Sequence, residues 1–258
     1  MKKYIKDLQV VNKQILSAEY YLLELSSNQP LPEVLPGQFA EVEITGSDAT
    51  FLRRPLSVHD VDYDKNTISF LVQIVGKGTK HLANIEVGKI LNVIFPLGKG
   101  FELIKSSENA LLIGGGCGIA PLLYLARLLK KQGVKVSTLI GVRRSSQLIE
   151  LDNYKKYGDV LITTEDGSEG TKGYVVNHPV FENLKQYKKI YTCGPEVMMK
   201  AIAKRANESR VDCEVSLENM MACGIGACLC CVTETTEGNK CVCTEGPVFN
   251  IHNLKWQI

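Results

Sequence analysis

The segment ALLIGGGCGIAPLLYLARLLKKQG spans residues 110–133 and joins a short apolar strand, a glycine-rich turn and a helix. Such a junction is typical of nucleotide-binding α/β domains. Glycines let the backbone approach a pyrophosphate, and the N-terminus of the helix attracts its negative charge. A tight turn without a ligand is the competing interpretation of the five residues 114–118.

Two departures argue against the usual dinucleotide fingerprint. Ala120 and Pro121 stand where the last glycine of G-x-G-x-x-G would fall, and the next strand is followed by GVRRSS, which offers no acidic residue for a ribose hydroxyl. Arg143 and Arg144 could bind a phosphate or could lie on the solvated surface. The sequence therefore allows a pyridine nucleotide while disfavouring the standard form of the fold, and it leaves NAD and NADP open.

On the C-terminal side, strand and helix patterns alternate. Apolar strand segments are predicted at 134–140, 159–164 and 188–193, and the last runs into Cys193-Gly194-Pro195 and a helical segment, 196–206. Such alternation predicts a parallel sheet covered by helices on both faces.

The first hundred residues show a different pattern, one of short strands and turns. FAEVEIT (39–45) alternates apolar and polar residues, and ISFLVQIVG (68–76) is rich in β-branched residues and ends at glycine. Short strands punctuated by glycine and proline predict a small antiparallel barrel.

Beyond about residue 214 the chain becomes rich in cysteine and glycine. Cys223, Cys228 and Cys231 follow the spacing C-x4-C-x2-C, which is the plant-type arrangement for a [2Fe–2S] cluster. Cys241 and Cys243 are both candidates for the fourth ligand. Cys230 interrupts the spacing.

Structural zinc and disulfides are the other interpretations of these cysteines. Zinc ligands usually form two separated pairs, whereas here three cysteines crowd one glycine-containing loop. The chain opens MKKYIKDLQV, without the apolar core of a secretory signal, so we expect a reducing compartment and no disulfides.

Length and composition exclude several classes. The 258 residues suffice for two medium domains and a small module, and a net charge of +2 gives no reason to expect nucleic acid as a partner. No apolar run has the length of a membrane span. We expect a soluble, cytoplasmic protein.

Five short motifs in order resemble those of the ferredoxin–NADP reductase superfamily. They are R-P-L-S (54–57), G-T (78–79), P-L-G-K-G-F (96–101), G-G-G-C-G-I-A-P (114–121) and C-G-P (193–195). The C-terminal M-A-C-G-I-G-A-C (221–228) and C-T-E-G-P-V-F (243–249) make the chain similar to the electron-transfer subunits of type B dihydroorotate dehydrogenase, over essentially its whole length.

The resemblance implies a multi-domain fold in three parts. An antiparallel β-barrel FAD domain would occupy residues 1–104, an α/β parallel-sheet NAD domain residues 105–213, and a small C-terminal [2Fe–2S] module residues 214–258.

It also implies roles for individual residues. The cysteine shortly before G-P-V-F would be the last ligand, so that the ligand set is Cys223, Cys228, Cys231 and Cys243. Cys193 would lie close to the reacting nicotinamide, although a buried small apolar residue is the competing interpretation. The cofactor-binding residues would be Arg54, Pro55, Leu56, Ser57, Leu71, Val72, Gln73, Gly78 and Thr79 for FAD, and Gly114, Gly115, Gly116, Gly118, Gly194 and Pro195 for the nicotinamide nucleotide.

The function implied is that of an NAD-linked oxidoreductase subunit in pyrimidine biosynthesis. Electrons would pass from a partner subunit that carries FMN and oxidises dihydroorotate, through the cluster and FAD, to NAD+ as substrate. The assembly would be a heterotetramer with two of each subunit. The alternatives are the small subunit of an NADH-dependent ferredoxin:NADP oxidoreductase or of a sulfide dehydrogenase, and, from another class, a zinc-stabilised binding module without catalysis.

Overall fold

The computed structural model of the protein describes residues 2–46 and 50–256. In these two ranges the chain forms two seven-stranded sheets and one two-stranded hairpin. None of the helices found there has the length and apolar character that crossing a membrane requires.

The first sheet is antiparallel and curls around an apolar core. Its elements are β1 (Tyr4–Ile15), β2 (Tyr20–Ser26), β3 (Phe39–Val42), β4 (Arg54–Ser57), β5 (Asp60–Asp62), β6 (Thr67–Gln73), the helix α1 (Lys77–Ala83) and β7 (Ile90–Leu97). The strand order is β4-β3-β7-β1-β2-β6-β5. Inward side chains such as Leu23, Phe70 and Phe95 are fully buried, so one face of each strand supplies the core.

The second sheet is parallel over six of its seven strands. Its elements, up to the sixth strand, are β8 (Asn109–Gly115), α2 (Leu122–Lys131), β9 (Lys135–Val142), α3 (Leu151–Lys155), β10 (Gly158–Thr164), β11 (Thr171–Lys172), β12 (Lys189–Cys193), α4 (Glu196–Ser209) and β13 (Asp212–Ser216). The chain runs outward from β8 to β9, β10 and β11, and then returns to place β12 on the other side of β8. Ligands bind at such a reversal of strand order, outside the carboxyl ends of the strands.

The C-terminal module is joined to this second sheet. It contains β14 (Val232–Thr235), β15 (Gly238–Cys241), α5 (Val242–Glu245) and β16 (Val248–Asn250). Strand β16 pairs antiparallel with β13, with Val215 opposite Phe249, and so forms the seventh strand. The cysteine-rich module is therefore held in place by hydrogen bonds to the α/β sheet. Strand β13 extends past residue 213, where the predicted NAD domain ends.

The sequence prediction of a three-part fold class is confirmed. The predicted strands at 39–45, 68–76, 110–113, 134–140, 159–164 and 188–193 contain or overlap β3, β6, β8, β9, β10 and β12, and the two predicted helices overlap α2 and α4. The pairing of β16 with β13 was not anticipated. A three-residue strand carries too little local pattern to be assigned without its partner.

Candidate functional site

A cavity of about 770 Å³ opens at the reversal of strand order, between the two large domains. The glycine turn after β8 and the C-G-P turn after β12 form one wall, and Glu19, Tyr20 and Gln73 of the first domain form the other. The cavity is of the size and position of a nucleotide site.

The glycine turn is shaped by close packing. A Cβ added at Gly118 would lie 2.3 Å from the carbonyl oxygen of Cys193, and one at Gly114 would lie 2.6 Å from Cγ2 of Ile119. Gly116 has a φ of +54°, and Gly115 and Gly116 line the cavity. The structure therefore brings the turn against the end of β12, where only glycine fits, and leaves its backbone accessible from the cavity.

Cys193 lies behind this turn and is fully buried. Its thiol donates to Oε1 of Glu218, with 3.6 Å between sulfur and oxygen, and burial raises the pKa of the thiol well above its usual value. Glu218 lines the cavity, as do Gly194 and Pro195. Cys193 therefore does not line the cavity itself but is hydrogen-bonded to Glu218, which does. Glu218 belongs to none of the motifs found in the sequence.

The predicted phosphate-binding residues converge although 24 positions of sequence separate them. A Cβ added at Gly78 would lie 2.5 Å from Nε of Arg54, so the guanidinium covers the backbone at the start of α1. Within the described residues Arg54 forms no ion pair with a carboxylate, since its Nη1 donates only to the carbonyl oxygen of Arg53. Thr79 accepts backbone N–H groups from Val75 and Gly76 through Oγ1. A free guanidinium over a glycine fits a diphosphate such as that of FAD.

The strand β6 has two faces. Leu71 packs with residues of the α/β domain, Gln73 lines the cavity, and the side chain of Val72 is buried inside the first domain. The carbonyl oxygen of Leu71 lies 3.9 Å from Sγ of Cys117, on the glycine turn. The predicted flavin strand and the predicted nicotinamide turn are therefore in contact across the cleft.

A buried polar contact holds the two domains at this spacing. Nδ1 of His59, which precedes β5, lies 2.9 Å from the carbonyl oxygen of Ala120, and its Nε2 lies 3.4 Å from Oε2 of Glu150. Nearby, Arg127 of α2 forms an ion pair of 2.7 Å with Asp60. These contacts fix the width of the cleft.

The far end of the cavity carries opposite charges. Arg143 follows β9 and Glu165 follows β10, and both line the cavity. The backbone N–H of Asp166 donates to the carbonyl oxygen of Arg143 and ties the two strand ends together. A carboxylate in this place suits a ribose hydroxyl and repels a 2′-phosphate. The dinucleotide fingerprint predicts this acidic residue after β9, whereas the fold brings one to the cavity from the end of β10.

The cysteine-rich loop brings the predicted ligands into one neighbourhood. Cys223 interacts with Cys228, and the backbone N–H of Cys243 donates to Sγ of Cys231 across 3.4 Å. Cys243 is buried and close enough to Cys223 for their charges to interact. No group of three or more Cys, His, Asp or Glu in the described ranges forms a compact single-ion site.

The two remaining thiols differ in position. Cys230 is exposed to solvent. Loss of hydration raises the pKa of the Cys241 thiol, and the nearby Cys231, Glu245, Cys223 and Cys228 raise it further by electrostatic repulsion. The choice of Cys243 over Cys241 therefore stays a prediction.

The loop stabilises the thiolate of Cys223. Burial opposes its ionisation, but the backbone N–H groups of Ile225, Cys228 and Ala227, together with the side chain of Cys228, outweigh it and lower the pKa of the thiol to about 6. At Cys243 burial and the neighbouring Cys231 prevail over the N–H of Gly226 and raise the pKa of the thiol to about 12. Clustered cysteines with N–H donors aimed at the sulfurs of Cys223, Cys231 and Cys243 fit the ligation of a [2Fe–2S] cluster.

The cysteine loop rests on the first domain. Gly224 has a φ of +66°, and a Cβ added there would lie 2.5 Å from Cγ of Glu41, on β3. Glu41 is opposite Pro55 of the R-P-L-S strand in the register of β3 and β4. The predicted cluster loop therefore packs on a strand whose neighbour carries the predicted flavin residues.

Comparison with known protein families divides the chain into three matched segments. Residues 7–101 match the oxidoreductase FAD-binding domain, residues 112–204 the oxidoreductase NAD-binding domain, and residues 218–255 the iron–sulfur cluster binding domain of dihydroorotate dehydrogenase B.

Curated relatives match over nearly their full length. The electron transfer subunit of dihydroorotate dehydrogenase B (NAD(+)) from Caldanaerobacter subterraneus subsp. tengcongensis is 40% identical, over 93% of this chain and 94% of that protein. The protein of the same name from Fusobacterium nucleatum subsp. nucleatum is 36% identical, over 95% of this chain and 96% of its own.

Solved structures show the same fold. A chain of the NADH-dependent reduced ferredoxin-NADP oxidoreductase, studied for flavin-based electron bifurcation, superposes with a TM-score of 0.85 at 31% identity, covering 96% of this chain and 90% of that one. The ferredoxin reductase of carbazole 1,9a-dioxygenase, at 22% identity and a TM-score of 0.72, shares the fold over 82% of this chain and 67% of its own.

Proposed function

Because the chain belongs to the family of dihydroorotate dehydrogenase B electron transfer subunits, we propose that it relays electrons from a dihydroorotate-oxidising partner subunit to NAD+. The observation that carries this proposal is that the three matched segments are in contact with one another. Gly224 of the cysteine loop packs on Glu41, Glu41 pairs with Pro55, and Leu71 of the flavin strand meets Cys117 of the glycine turn.

Each part of the chain has its own task. Arg54, Gly78 and Thr79 would hold the diphosphate of FAD, and residues of β4 and β6 would line the flavin. Gly115, Gly116, Gly118, Gly194 and Pro195 position the nicotinamide at the cavity, with Cys193 behind them. Flavin chemistry links the hydride carried by NAD to the single electrons carried by an iron–sulfur cluster.

The protein supplies the electrostatics for the cluster. Cys223, Cys228, Cys231 and Cys243 are the ligands, and the N–H groups of residues 225–228 neutralise part of their charge. The close packing of Gly224 on β3 holds the loop against the flavin domain.

The partner docks on the exposed side of the cysteine loop. Three large apolar side chains surround this loop in contact with solvent: Met220 is 85% exposed, Leu229 64% and Ile225 46%. Apolar groups around a redox centre suit a protein interface that excludes water and allows close approach. We assign this surface to the catalytic subunit, which carries FMN, in an assembly with two copies of each chain.

The proposal is tested by anaerobic co-expression with the dihydroorotate dehydrogenase catalytic subunit of the same genome. We expect a complex that contains FAD, FMN and iron and that reduces NAD+ with dihydroorotate. The chain alone should oxidise NADH with an artificial acceptor but should not oxidise dihydroorotate. A colourless chain without flavin and iron would support the zinc-stabilised module instead.

The docking surface has its own test. Leu229→Glu should weaken the complex, whereas Val87→Glu should leave it intact, because Val87 is as exposed but lies in the loop before β7. Mass determination of the complex gives the subunit ratio. Equal affinity of both variants for the partner would contradict the assignment.

A second candidate follows from the structural match to the NADH-dependent reduced ferredoxin-NADP oxidoreductase. There the relay would be the same but the partner would differ. Affinity capture of the tagged chain from its own organism distinguishes the two, since the second candidate requires recovery of a flavoprotein that reduces NADP rather than one that oxidises dihydroorotate.

A further inference from the structure

Glu41 is a charged residue in a place that strands usually give to apolar ones. It lies in the middle of β3 and has no solvent exposure. Neither oxygen of its carboxylate has a hydrogen-bond partner in the described ranges. A buried ionised carboxylate without partners destabilises a fold. Groups that break the usual rules of burial are found mainly at functional sites.

Three contacts place this carboxylate between the two predicted redox sites. Gly224 of the cysteine loop lies against its side chain so closely that a Cβ would come within 2.8 Å of Oε1. Its charge interacts with that of Cys223. On the other side, Pro55 of the flavin motif is its register partner across the sheet.

We propose that Glu41 is a tuning residue, whose negative charge beneath the cysteine loop keeps the reduction potential of the [2Fe–2S] cluster low. The proposal rests on the function proposed above, which places a cluster in this loop. Adding an electron makes the cluster more negative, and a carboxylate in a site of low dielectric opposes that change. A low potential favours onward transfer toward FAD and NAD+ over retention of the electron.

The cations near Glu41 neutralise its negative charge only in part. Arg53 is the cation that acts most strongly on Glu41, but its guanidinium is committed to Glu43, at 2.8 Å, and to Asn92, at 2.7 Å. Arg54 also acts on Glu41, but less strongly than Cys223 of the loop does. The carboxylate of Glu41 therefore still acts on the loop above it.

The test compares Glu41→Gln with a matched control. Glutamine keeps the shape and removes the charge, and no side-chain hydrogen bond of Glu41 to the described residues is lost. Glu86→Gln removes the same charge from an exposed side chain in the loop before β7, whose ion-pair partner is Lys89 and not Arg53. The midpoint potential of the cluster is measured by redox titration followed by electron paramagnetic resonance, at about pH 9, where the carboxylate is ionised.

We expect the potential to rise in Glu41→Gln, so that at a fixed solution potential the ratio of reduced to oxidised cluster increases about tenfold. The potential should stay unchanged in Glu86→Gln. Glu41→Asp, which retains a carboxylate, should keep a potential close to the original value.

Several outcomes would overturn the inference. An unchanged potential in Glu41→Gln, or equal shifts in Glu41→Gln and Glu41→Asp, would show that charge is not the cause. A cluster lost from Glu41→Gln but kept in Glu41→Asp would assign the carboxylate to holding the loop instead. If the unaltered protein holds no cluster, the proposed function fails as well. A cluster that is present but unaffected overturns this inference alone.

Discussion

The thiol of Cys193 donates to Oε1 of Glu218 at 3.6 Å and joins two side chains that lie at the carboxyl ends of neighbouring parallel strands, β12 and β13. Cys193 is buried and Glu218 lines the cavity. The hydrogen bond therefore sets the position of a carboxylate beside the predicted nicotinamide site.

Removing this hydrogen bond should slow the exchange between NADH and the flavin. In Cys193→Ala the carboxyl group of Glu218 loses a partner, and because a thiol is a weak donor the loss is worth about 0.5–1 kcal/mol, or about two- to fivefold in rate. Stopped-flow reduction of the flavin measures this. Cys213→Ala, which alters a buried cysteine on β13, is the control. Equal rates in both variants would show that Cys193 is only a packing residue.

The ligand set predicts which cysteines the cluster requires. Serine at Cys223, Cys228, Cys231 or Cys243 should remove the cluster's share of the visible absorbance, leaving that of the flavin, and should reduce the iron content, because four thiolates hold the cluster. Serine at Cys230 or Cys241 should leave both unchanged. A cluster that survives Cys243→Ser and is lost in Cys241→Ser would move the fourth ligand to Cys241.

Glu165 should discriminate between NADH and NADPH. Its carboxylate lies at the end of the cavity, beside Arg143, and would repel a 2′-phosphate. In Glu165→Gln we expect the preference for NADH, as the ratio of kcat/KM values, to fall by about tenfold. Glu169→Gln, in the same loop but outside the cavity, should keep the original ratio.

Lys189 should be essential for stability. Its ammonium is buried and lies 2.8 Å from Glu102, 3.1 Å from Asp212 and 3.1 Å from Glu214. Lys189→Met would leave the buried carboxylate of Glu214 without its cation, whereas Glu102 and Asp212 remain solvated. We expect a cost of about 2–3 kcal/mol in the free energy of unfolding.

The surface pair formed by Lys200 and Glu196 provides the comparison for Lys189. Nζ of Lys200 lies 2.6 Å from Oε1 of Glu196, but both side chains are exposed. Lys200→Met should therefore cost less than about 1 kcal/mol. Denaturant unfolding of the three proteins at one pH measures both effects, and equal losses would contradict the assignment.

Glu41 should make stability depend on pH. Burial raises its pKa from 4.5 to about 7 against the opposing charge of Arg53. The folded state therefore retains a proton that the unfolded state releases, and stability is lost as pH rises from 4.5 to about 7. Glu41→Gln should gain stability over the unaltered protein across this interval, by up to about 3 kcal/mol, and no further gain should occur above it.

The midpoints of thermal unfolding, measured at one scan rate at several pH values, test this dependence. Other titrating groups cancel in the difference between the two proteins. A difference that does not vary with pH would show that the carboxylate of Glu41 is already solvated or paired.

Local patterns determined much of the fold. The strand, glycine turn and helix of residues 110–133 form β8, the turn and α2, because each element depends on neighbours a few positions away in the chain. The spacing of Cys223, Cys228 and Cys231 within one loop is local in the same sense, so the sequence alone predicted an iron–sulfur site there.

Tertiary structure decided the contacts between distant segments. Glu41 meets Gly224 across 183 positions, and Cys193 meets Glu218 across 25. Neither pair leaves a periodic signal in the sequence, because each partner is ordinary in its own segment. Only the folded chain shows that a strand glutamate is buried beneath the cysteine loop and that Glu165, after β10, reaches the cavity. The sequence by itself therefore determined the kinds of site present, and the packing of β3, β13 and β16 determined which charges act on them.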